Sequence, residues 1–167
     1  MLVLPFPAQG HVKPLMIFSQ KLSQNGFKIT FVNTDFIHKK VLDAMSGDDQ
    51  TGSKNNVDLV SIPDGLGPEE DRNEFGALSK ALLETMPGKL EKLIRNINDD
   101  DKENKISCVV AAANMGWVME VVAKMGIRGA VVWPGSAAVF AFMLNTPKMV
   151  HDGIVGSIDG KINSLST

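Results

Sequence analysis

Five times along this chain a short apolar, β-rich run gives way to a segment with helical spacing, and few folds accept that alternation. The first pair is residues 2–6, closed by Pro5 and Pro7, then 12–25, where Val12, Leu15, Met16, Ile17 and Leu22 recur at helical intervals. Pro14 suits the first turn of that helix, where a missing N–H costs little, and Gly26 suits its end. Residues 27–32 and 36–45 repeat the pattern, with Ser46 and Gly47 closing it. Residues 57–62 form a third run, stopped by the turn residues Pro63, Asp64 and Gly65. A broad apolar face then runs through Phe75, Leu78, Leu82, Leu83, Met86, Leu90, Leu93, Ile94 and Ile97. Pro87 and Gly88 interrupt it, which predicts two helical pieces or one kinked helix. Residues 106–111 with 115–125, and 131–133 with 136–144, complete the series.

Strands separated by helices pair in parallel, and right-handed crossovers place the helices on both faces of the sheet. The expected fold is therefore α/β, a Rossmann-like doubly wound parallel sheet, over residues 1–144. Residues 145–167 show no further unit and read as a loop or tail.

With 167 residues, 44% hydrophobic and 22% charged, the chain can bury one ordinary core. A formal charge of −2 offers no broad attraction to phosphate backbones, so no nucleic-acid partner is expected. Cys108 is the one cysteine, which rules out an internal disulfide and fits a reducing, cytoplasmic setting. Pro5 and Pro7 break the first apolar run too early for a secretory signal. The stretch 129–144 is interrupted by Pro134, Gly135 and Ser136 and falls short of the ~20 residues of a spanning helix, so no stable membrane insertion is expected.

Ligands of open parallel sheets collect beyond the carboxyl ends of the strands, which directs attention to turns 7–11, 33–36, 111–115 and 133–136. The first holds the single glycine Gly10, without the spaced glycines of a dinucleotide fingerprint or the lysine of a phosphate loop. A generic nucleotide-binding domain is disfavoured on that ground. His11 stands where strand passes to helix, and the positive end of the helix dipole disfavours an imidazolium there. By position alone a neutral His11 either accepts a proton or merely caps and packs. His38 and His151 share no ligand-like spacing with it, and no metal site is expected.

The string Pro7-Ala8-Gln9-Gly10-His11-Val12-Lys13-Pro14-Leu15 closely resembles the opening of plant family 1 UDP-glycosyltransferases. Gly26-Phe27-Lys28-Ile29-Thr30-Phe31-Val32-Asn33-Thr34 and Ile62-Pro63-Asp64-Gly65-Leu66 continue the likeness, followed in order by Asn114-Met115-Gly116-Trp117, Ala123-Lys124-Met125-Gly126-Ile127-Arg128 and Trp133-Pro134. The resemblance implies the N-terminal lobe of a two-lobed GT-B enzyme, truncated, with the C-terminal UDP-sugar-binding domain absent from this sequence. It further implies an inverting transfer of a hexose, such as glucose, from a UDP-sugar co-substrate to a hydroxyl of a small lipophilic acceptor. No tightly bound cofactor is implied, and the UDP-sugar would need the C-terminal lobe. His11 falls on the family's general base.

One departure bears on the chemistry. The family pattern puts an aspartate, the partner of the histidine's other nitrogen, at the position occupied here by Ala112. A methyl group can neither accept that hydrogen bond nor balance an imidazolium. Ala112 reads either as a small residue tolerated at an apolar strand end or as the mark of a pseudoenzyme or a substitution. A non-catalytic, acceptor-binding role is thus an open alternative. The strand-end residues Phe6, Gln9, Gly10, Asn114, Met115, Trp133 and Ser136 are the remaining candidates for substrate binding, with Phe75, Leu78 and Leu82 as a possible apolar wall. For Met115 and the wall residues core packing is the stronger reading, and Ser136 equally suits a helix N-cap.

Overall fold

The computed structural model describes residues 1–45 and 57–156, and the expected helix end at Ser46 and Gly47 lies outside them. The elements alternate throughout: β1 (Leu2–Leu4), α1 (Gln9–Gln24), β2 (Ile29–Thr34), α2 (Asp35–Met45), β3 (Val57–Ile62), α3 (Phe75–Asp100), β4 (Cys108–Ala112), α4 (Trp117–Lys124), β5 (Arg128–Val132) and α5 (Ala137–His151). The five strands form one sheet in the order β3-β2-β1-β4-β5, every pair parallel. The order reverses beside β1, so the switch point between β1 and β4 is where a crevice opens.

Right-handed crossovers assign the faces. β1 to β2 to β3 moves one way and puts α1 and α2 on one face, whereas β3 to β4 to β5 moves back and puts α3 and α4 on the other. A Cβ placed on Gly129 would meet Met119 Sδ at 2.6 Å and Val122 at 3.1 Å, so Gly129 faces α4. Its registered partner Val109 shares that face, and the alternation of strand side chains turns Val110 and Ala112 toward α1.

The core is built where the sequence pattern put it. Leu2, Val3, Ile29, Phe31, Val32, Val109 and Ala111 on the strands are fully buried. Leu15 of α1, Leu82, Met86, Leu90 and Ile94 of α3, and Val118 of α4 close over them. Helices α1 and α4 end alike. The backbone turns back at Gly26 (φ +85°) and Gly126 (φ +69°), and the next residue's N–H bonds to a carbonyl five positions earlier, Phe27 to Leu22 and Ile127 to Val122. That left-handed conformation suits glycine.

Several boundaries differ from the sequence expectation. α1 starts at Gln9, which places His11 inside its first turn and makes Pro14 the sixth helical residue. Proline there removes the bond to the Gly10 carbonyl. α3 is one helix across Pro87 and Gly88, because its buried stripe of Leu78, Leu82, Met86, Leu90 and Ile94 continues unbroken past them. β5 is Arg128–Val132, starting three residues before the expected 131, in register with β4.

The chain divides into two compact units, Met1–Pro134 and a second from Gly135 onward. In the second unit α5 runs through Asn145 and Pro147 to His151, where a loop was expected from 145. Asn145 and Thr146 donate their side chains to the Ala141 and Phe142 carbonyls, so these turn-forming residues serve the helix instead of ending it. Residues 157–167 of the expected tail lie outside the described residues.

The loop after β3 is pinned by charge. Arg72 bonds Asp64 with Nε to Oδ2 at 2.8 Å and Nη2 to Oδ1 at 3.2 Å, and also donates to the carbonyls of Leu66, Gly67 and Glu70. Both side chains are largely buried, and Asp64 holds the guanidinium pKa above its ordinary value. Removing one partner of such a pair strands the other charge, so Arg72→Ala is expected to cost about 3 kcal/mol in urea unfolding. The acidic run 69–71 beside it is exposed, as its composition suggested.

Candidate active site

His11 projects from the first turn of α1, where β1 hands over to its helix. Its ring stands edge-on to Phe6, with centroids 5.5 Å apart. Nδ1 is buried and meets no hydrogen-bonding partner in the protein. Desolvation lowers the ring's pKa below its ordinary 6.5, which keeps the imidazole uncharged at neutral pH. An uncharged imidazole with one nitrogen in the protein interior is chemically suited to take a proton on the other.

Two strand ends bracket that position. Register pairs Leu4 with Ala111 and Val3 with Phe31, so Ala112 and Asn33 stand one strand spacing, ~4.8 Å, on either side of the end of β1. Both face α1. Ala112 is fully buried and offers only a methyl group. Asn33 is 1% exposed, and neither atom of its amide meets a partner. A buried amide left unpaired on both sides is uncommon, and it makes the start of the 33–36 turn, one of the four strand-end turns singled out by position, polar in the interior. The signal available was an asparagine closing a β-rich run, which is equally the signature of a turn.

Phe6 links His11 to a cavity of about 380 Å³ lined by Phe6, Ser79, Leu82, Leu83, Asn114, Met115, Gly116, Trp117 and Glu120. The cavity lies between α3 and α4, over the turn that follows β4. Phe75, exposed at the start of α3, packs on Phe6 with centroids 5.4 Å apart. Of the sequence candidates, Phe6, Asn114, Met115 and Leu82 therefore come together, while Leu78 is core and 3% exposed. Ser79, Trp117 and Glu120 were not read as cavity residues, because a helix face shared by core and cavity gives one periodic signal for both. Gln9 and Gly10 line a different feature, an open groove along α1 with Lys13, Pro14 and Ile17. Trp133 follows β5 and is half-buried. Ser136 belongs to the second unit, where its hydroxyl accepts the Ala138 N–H at 3.2 Å as the N-cap of α5. Among the described residues no three His, Cys, Asp or Glu side chains group as metal ligands, and no helix is long and apolar enough to cross a membrane.

Comparison with known proteins places this arrangement. No protein-family model matches the chain. UDP-glycosyltransferase 83A1 of Arabidopsis thaliana is 42% identical over 171 residues, spanning 99% of this chain and 36% of that protein. The chain belongs to the plant UDP-glycosyltransferases. A second member of the family, 7-deoxyloganetin glucosyltransferase of Gardenia jasminoides, is 28% identical and covers 90% of the chain and 32% of its own length. The crystal structure of Os79 from O. sativa with U2F and trichothecene superposes with a TM-score of 0.66 at 19% identity, over 93% of this chain and 37% of that one. The fold is accordingly that of GT-B glycosyltransferases. The chain spans about one third of the length of the relatives it matches.

Proposed function

We propose that the chain forms the acceptor-binding half of a cytosolic UDP-glycosyltransferase that transfers a hexose, most simply glucose, to a hydroxyl of a small lipophilic compound. The observation that carries this reading is the contact of His11 with Phe6, because the same phenyl ring lines the cavity between α3 and α4. A base and a mainly apolar binding space therefore share one wall. The acceptor's apolar body would occupy the cavity, and its hydroxyl would reach His11. As the hydroxyl oxygen attacks the anomeric carbon, its proton passes to Nε2, the bond from that carbon to the diphosphate breaks, and UDP leaves with inversion. The UDP-sugar would be held by the portion of the relatives' length that this chain does not span. No metal enters these steps.

Ala112 favours a second, narrower role for the 167 residues themselves. The buried Nδ1 lacks the partner that would hold the ring and balance its charge, so the chain alone is suited to hold an acceptor without turning it over. Incubating the purified chain with UDP-glucose and a panel of flavonoids, terpenoids and phenols tests this. The expected result is saturable acceptor binding without glucoside. Product from the chain alone would contradict the division of labour proposed here, and failure of every acceptor to bind would remove the acceptor site.

A further inference from the structure

The cavity between α3 and α4 is not uniformly apolar, and the placement of its polar groups bears on what it selects. Leu82, Leu83, Met115, Trp117 and Phe6 supply the apolar lining, whereas Glu120, on α4, adds a carboxylate. Glu120 makes no ion pair among the described residues. An ionised carboxylate only accepts hydrogen bonds, so it rewards a ligand that brings a donor and penalises one that covers it with hydrocarbon. Phe6 marks the side of the cavity against His11, while Glu120 stands on α4.

Resting on the acceptor-site reading above, we propose that Glu120 is a specificity-determining residue that selects lipophilic acceptors carrying a second hydroxyl besides the one that is glycosylated. One hydroxyl goes to His11, the hydrocarbon body fills the ~380 Å³ between the helices, and the second hydroxyl donates to Glu120. A cavity of this size takes one small organic molecule. The contact adds selectivity without taking part in proton transfer.

The test compares 1,8-octanediol with 1-octanol on the 167-residue chain by intrinsic tryptophan fluorescence, with Trp117 in the cavity wall as reporter. The mono-alcohol is the more lipophilic of the two, so a merely apolar cavity binds it more tightly. The wild-type chain is expected to prefer the diol by roughly 3- to 10-fold, the usual net worth of an ordinary hydrogen bond, because Glu120 is exposed and its charge is partly solvated. Glu120→Gln, which retains an acceptor oxygen, should keep part of that preference, and Glu120→Ala should reverse it in favour of 1-octanol. Glu120 is exposed on its helix, so neither variant threatens the core. Equal or tighter binding of 1-octanol by the wild type, or a diol preference that survives Glu120→Ala, overturns the assignment while leaving the acceptor site standing. If neither alcohol binds the wild type, the acceptor site itself fails and the assignment falls with it.

Discussion

His11→Ala, in a chain joined to the UDP-sugar-binding portion of a plant relative, is expected to lower kcat/KM by about 10²- to 10⁴-fold. The expectation follows from chemistry confined to one nitrogen. An aliphatic or phenolic hydroxyl is a weak nucleophile until its proton has somewhere to go. On the proposed reading the neutral ring at the start of α1 takes it, and burial holds its pKa down. The loss should fall on kcat with little change in KM, because on this proposal the cavity lining, which does not include the imidazole, would hold the acceptor body. With alanine at 112 already depriving the ring of a partner, the effect should lie near the lower end of that range. A proportionate rise in KM instead would assign His11 to binding, and an unchanged rate would remove it from the reaction.

Ala112→Asp in the same joined enzyme is expected to raise the rate by roughly 10²-fold, the low end of what an effective general base contributes. A carboxylate at this fully buried position would face α1, one strand spacing from the end of β1, where His11 Nδ1 and the Asn33 amide are both unpartnered. It would accept from Nδ1–H, fix the ring with Nε2 free, and balance the imidazolium that forms during transfer. The sign of the pH effect follows. An adjacent negative charge raises the histidine pKa, so the acid limb of the rate profile should move to higher pH even as the maximum rate increases. The change must also be non-additive with His11→Ala. The doubly substituted chain strands a buried carboxylate and should unfold about 3 kcal/mol more easily than Ala112→Asp alone. A rate and a pH profile that ignore Ala112→Asp would show that this strand end is simply apolar.

The alternation of short apolar runs with helical ones was enough to read the sheet, because parallel strands require crossovers and crossovers bring chirality with them. What it could not supply were positions set by tertiary contacts. Pro87 left two helical pieces and one kinked helix equally open, and the buried stripe from Leu78 to Ile94 carries a single helix through it. Asn145, Thr146 and Pro147 looked like a loop, yet two of them bond back into α5. At the site, His11, Phe6, Asn114 and Met115 were legible as residues of strand-end turns. Ser79, Trp117 and Glu120 were not, since nothing in a helical pattern separates a side chain that lines a cavity from its neighbours. Asn33 was legible only as the start of the 33–36 turn, for a related reason. A terminal asparagine of a strand is ordinary until its burial and its empty hydrogen-bonding capacity are seen together.

On the proposed reading an uncharged His11 stands against Phe6 at the edge of an acceptor site, and a ¹⁵N NMR titration of its ring in the 167-residue chain reads both its charge and its neighbourhood. The expected result is a midpoint below the ordinary 6.5 and a displacement of the ring signals when an acceptor alcohol is added to saturation. A midpoint at or above 6.5, with signals indifferent to the alcohol, would contradict it.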